Sequence, residues 1–103
     1  MAISNSALST IPANIYVSSG GTVISTMYFV NTSGNAATIN MWVMPSGNDT
    51  ANVLNQVYSL VQVAPNETFV IDMEKLVLAS GDMIRANASA NTAINTTLSY
   101  ASV

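Results

Sequence analysis

The side chains able to do chemistry gather between Pro65 and Arg85, in PNETFVIDMEKLVLASGDMIR, where Glu67, Asp72, Glu74, Lys75, Asp82 and Arg85 hold most of the charge of the chain. Clustered carboxylates can work as acid and base or bind a hard cation. A calcium loop, however, places ligands at alternate positions and closes on a glutamate, and this stretch has no such spacing. Histidine and cysteine are absent. Nucleophilic catalysis would therefore need Ser or Thr beside the single lysine, Lys75, and no serine stands at a recognisable spacing from it. We expect no catalytic, cofactor or metal site. The charges then mark the solvated ends of strands, with Lys75 and Arg85 as partial partners of the carboxylates.

The elements that would carry these residues belong to one domain, since 103 residues suit a single small sandwich. Charged residues make up 7% of the chain, against roughly 25% in ordinary soluble proteins. Ser, Thr and Asn keep the surface wet, and a net charge of −3 offers little colloidal repulsion. Such a surface suits burial in an assembly. Two cations cannot neutralise a row of phosphates, so neither nucleic acid nor an anionic membrane is an expected partner. The first fourteen residues lack the basic and apolar regions of a secretory signal, and no apolar run approaches the length of a membrane span.

In chain order, residues 1–14 show neither helical nor strand periodicity and predict an extended N-terminal arm carrying Ile3, Leu8 and Ile11. A short strand at Ile15 to Ser18 ends at Ser19-Gly20-Gly21. Thr22 to Asn31 alternates, with Val23, Met27 and Phe29 on one face and Ile24, Tyr28 and Val30 on the other. The turn formers Asn31 to Asn35 predict a hairpin into a strand that sets Ile39, Met41 and Val43 opposite Asn40, Trp42 and Met44. Val53 to Val63 fits either helix or strand, and its β-branched content favours strand.

Glu67 to Asp72 predicts a strand with Phe69 and Ile71 inward. Leu76 and Leu78 cap the core, and Ser80-Gly81-Asp82 turns the chain into a strand with Ile84, Ala86 and Ala88 on one face. Ile94, Thr96, Leu98 and Tyr100 form the inner face of a last strand. The expected fold is all-β: a single antiparallel β-sandwich, jelly-roll or Ig-like, of about seven or eight short strands over residues 15–103. Sequons at Asn31, Asn48, Asn66, Asn87 and Asn95 follow from composition alone. Tyr16, Tyr28, Trp42 and Tyr58 could stack on sugars, but burial in an interface is the better use of such rings. With the arm residues Ile3, Leu8 and Ile11, the expected contact residues are Tyr28, Trp42, Met44 and Tyr58.

Several pieces of this order carry a resemblance: FVNTSG at Phe29 to Gly34, VAPNETFVI at Val63 to Ile71, LVLASGDMIRANAS at Leu76 to Ser89 and TTLSY at Thr96 to Tyr100. The chain resembles small virion structural proteins of tailed bacteriophages, notably of cyanophages, over residues 15 to 103. The resemblance implies a sandwich that decorates or cements a capsid, or else a tail, baseplate or fibre component with possible glycan binding. It implies the major capsid protein or other virion proteins as partners and a homo-oligomer, dimer or trimer. The place it implies is the virion, assembled in the host cytoplasm.

Overall fold

The structure, a computed structural model, describes residues 2–46, 56–71 and 76–102. Its strands are β1 (Ala2–Ala7), β2 (Ala13–Val17), β3 (Thr22–Asn31), β4 (Ala37–Met44), β5 (Gln56–Val63), β6 (Thr68–Ile71), β7 (Leu76–Leu78), β8 (Met83–Ala88) and β9 (Ile94–Ser102). Every ladder is antiparallel. One sheet runs β1-β9-β3-β6, with β7 also on β3; the other runs β2-β8-β4-β5. The pairs β4–β5, β3–β6/β7, β2–β8 and β1–β9 nest inside one another, as if one long hairpin had been rolled up. That order is a jelly roll. The Ig alternative would pair the first two strands in one sheet, whereas β1 and β2 lie in different sheets.

The core fills the space between the sheets with Ile24, Met27, Phe29, Ile39, Met41, Ile84, Ile94 and Leu98, all essentially without solvent contact. Ala86 and Ala88 leave room on β8 for these larger side chains, and both are buried. Alternation predicts the inner faces of β6, β8 and β9 correctly. It fails on β3. The ladder with β9 slips between Ile24 and Thr26, so the inner set is Thr22 and Ile24, then Met27, Phe29 and Asn31. An extra residue in one strand reverses which face follows it. Ile24 therefore joins the core, and Val23 faces outward.

The predicted hairpin after β3 is also corrected. β3 and β4 lie in opposite sheets, so Thr32 to Ala36 cross between sheets instead of turning within one. Asn31 makes that crossing possible. Fully buried, it donates through Nδ2 to the carbonyls of Asn35 (2.8 Å) and Val63 (3.0 Å), and its Oδ1 accepts from the backbone N–H (2.9 Å) and hydroxyl (2.7 Å) of Ser33. All its hydrogen-bonding capacity is used, which removes the usual penalty of burying an amide.

At the opposite end, the turn after β2 is tied to the turn before β8. The N–H of Gly81 donates to Ser18 O and the N–H of Ser18 donates to Asp82 O, both at 2.8 Å. Gly81 sits at φ +88°, and a Cβ there would lie 2.6 Å from Ser46 Oγ, so both backbone and space demand glycine.

The predicted N-terminal arm is extended, but residues 2–7 lie along the molecule's own sheet as β1, in register with Tyr100 to Asn95. The chain then crosses to the second sheet. Leu8 plugs the gap: it is 3% exposed, and its N–H donates to Ile94 O at 2.9 Å.

Candidate interaction surfaces

Among the described residues only Glu67, Asp82 and Arg85 carry charge; Asp49, Asp72, Glu74 and Lys75 lie outside them. Asp82 is committed to the fold, because its two carboxylate oxygens accept the N–H groups of Ser46 (2.8 Å) and Ala79 (2.9 Å). Arg85 donates from Nε to Asn14 Oδ1 at 2.9 Å. Among the described residues, no group of three potential metal ligands exists. Within the charged corner, Asp82 thus braces two turns.

The outer face of the β2-β8-β4-β5 sheet is built from cross-strand partners. Asn40 stands opposite Asn87, Trp42 opposite Arg85 and Met44 opposite Met83, since directly paired residues share a face. Asn40 Nδ2 donates to Asn87 Oδ1 at 2.9 Å, and Asn40 Oδ1 accepts from Gln56 Nε2 (3.2 Å) and the N–H of Leu60 (2.9 Å). Asn87 Nδ2 continues the row to Thr10 O at 3.1 Å. Leu60 holds φ +53°, a left-handed conformation at the irregular part of β5 that this Asn40 contact helps to fix. The amides of this face serve one another.

The outer face of the other sheet differs. The ladders place Ile3 and Asn5 from β1, Thr97 and Ser99 from β9, Val23, Tyr28 and Val30 from β3, Val70 from β6 and Val77 from β7 on one side. Ile3 is 68% exposed, Tyr28 39%, Val70 41% and Val77 72%. No residue of this set is charged. A face of valine, tyrosine, threonine and serine without charge can meet a partner with little desolvation cost.

The residues expected to make contacts therefore separate. Ile3 and Tyr28 come together on the uncharged face, and Ile11 is exposed after β1. Leu8 joins the core, whereas Trp42 and Met44 stay on the outer side of their sheet but are covered there: Leu8 and Met44 have essentially no surface and Trp42 is 9% exposed. Their burial is within the chain, which leaves none of them free to anchor a partner. Tyr58 also points inward, with its ring edge-on to Phe69 at 5.8 Å, and is half-buried. Val70 and Val77 complete the exposed face. Alternation along β6 signals the first; the second has no local signal, because β7 is only three residues long.

Between the β5 and β6–β7 flanks the sheets leave a cavity of about 290 Å³ lined by Met27, Met41, Val57, Tyr58, Ile71 and Leu76. Among the described residues its lining is apolar apart from the Tyr58 phenol. Of the sequons, Asn31 is buried and already bonded, and Asn48 lies outside the described residues.

No protein-family model, curated protein or solved structure matches the chain. Its surfaces must be read from their own chemistry.

Proposed function

We propose that the chain is a structural subunit of an assembled particle, and specifically a decoration or cement protein of a tailed-bacteriophage capsid that bridges neighbouring capsid subunits. The observation that carries this reading is the outer face centred on Tyr28, flanked by Val30, Val70 and Ile3, on which none of the described residues is charged. A sheet face of this composition is suited to many small contacts spread over a protein surface. The jelly roll adds support by analogy, since viral capsid proteins use it, although lectins and cupins share it. The sequence resemblance to phage virion proteins points the same way. Catalysis has no part in the proposal.

The test is to label intact phage particles carrying this protein with antibodies raised against the purified chain and view them by electron microscopy. Regular label over the head is expected. Label confined to the tail would replace cementing by the tail or fibre reading, and particles without label would overturn both. On capsids stripped of the protein, readdition is expected to restore heat resistance, and Tyr28→Lys to restore it poorly.

A further inference from the structure

Among the described strands four sheet edges end this sandwich, and three are blunted. The β5 edge is irregular at two places against β4 and carries the left-handed Leu60. The β2 edge slips register between Asn14 and Tyr16 and follows Pro12. The edge beside β3 is divided between β6 and β7, of four and three residues. Bulges, proline and short strands are the devices by which proteins keep edges from pairing.

The β1 edge has none of them. AISNSA holds a regular six-residue register against β9 and contains no charge, proline or glycine. The Leu8 N–H bond to Ile94 O fixes the phase of the ladder, so Ala2, Ser4 and Ser6 direct their backbone groups to β9. The N–H and C=O of Ile3, Asn5 and Ala7 therefore point away from the sheet, toward whatever lies beside β1.

We propose that β1 pairs antiparallel with β1 of a second copy of this chain, about a two-fold axis at Asn5. That register makes three mutually hydrogen-bonded pairs: Ile3 with Ala7 of the second copy, Asn5 with Asn5 of the second copy, and Ala7 with Ile3 of the second copy. Registers centred on other residues of β1 pair fewer of these outward groups. The side chains agree. On the outer face large Ile3 meets small Ala7, and no like charges oppose one another across the axis. The pairing joins two copies of the β1-β9-β3-β6 sheet into one continuous sheet and doubles the uncharged face. It is independent of whether that face meets a capsid.

A single strand edge buries much less than the roughly 1,600 Å² of a standard interface, so a dimer with Kd on the order of micromolar or weaker is expected. Sedimentation of the full chain from micromolar to millimolar concentration should show a reversible monomer–dimer equilibrium. Asn5→Pro removes the central outward N–H without touching a bond to β9, and should weaken the dimer by about tenfold or more. Asn5→Ala loses only the acceptor for Thr97 Oγ1, 2.8 Å away, and should dimerise like the parent. Asn5→Lys sets two ammonium groups face to face; its dimer should weaken at low salt and recover at high salt, which a folding defect would not do. A chain monomeric throughout, an Asn5→Pro dimer as tight as the parent, or an Asn5→Lys dimer indifferent to salt would each overturn the proposal.

Discussion

The two outer faces of the sandwich use similar polar side chains in opposite ways. On the β2-β8-β4-β5 sheet, Asn40, Asn87, Gln56, Arg85 and Asn14 bond to one another or to nearby backbone, and Trp42 and Met44 have little or no exposed surface. On the β1-β9-β3-β6 sheet, Tyr28, Val70, Val77 and Ile3 stand in water, and Thr97 donates to Asn5 across that face. A polar group satisfied within the chain stabilises the fold and has little left for a partner. The face that looks richer in recognition chemistry is thus the structural one, and the plainer face is available.

Substitutions can break this contrast. The largest effect should come from Trp42→Ala, which empties a buried site and should destabilise the protein by about 3–5 kcal/mol, read as a fall in the urea midpoint. Next, Asn40→Ala removes the acceptor that holds the exposed Leu60 N–H at its left-handed φ and breaks the link to Asn87; a loss of about 0.5–1.5 kcal/mol is expected. In the core between the faces, the buried Thr96 hydroxyl has no partner among the described residues, so Thr96→Val should raise stability by about 1 kcal/mol. The smallest effect belongs to the open face: Tyr28→Ala should change unfolding by less than about 1 kcal/mol while weakening attachment to a particle. If Tyr28→Ala destabilised as much as Trp42→Ala, the contrast between the faces would fail.

Much of the fold was legible because strand alternation is local. The bounds predicted for β3 are those observed, and Ile84, Ala86 and Ala88, like Ile94, Thr96 and Leu98, turn inward as their spacing requires. The contact surface was less legible. Tyr28 and Ile3 stand on an open face, yet Trp42, Met44 and Leu8, whose size suggested anchors, are enclosed. Size and hydrophobicity predict burial but do not distinguish burial within a chain from burial against another. The slip at Ser25 was invisible for a related reason, since a bulge exists only relative to the strand beside it.

From its sequence alone, this protein is an antiparallel β-sandwich with almost no charge and no histidine or cysteine for catalysis, because composition and period-two alternation are properties of the chain itself. Only the tertiary structure decided that Asn31 carries the chain from one sheet to the other, that Asp82 braces two turns, and that one sheet face and one strand edge remain open. Those outcomes depend on pairings between residues far apart in sequence: β1 with β9, β2 with β8, β3 with β6. Which amide finds a partner, and which is left for another molecule, is set by those long-range ladders.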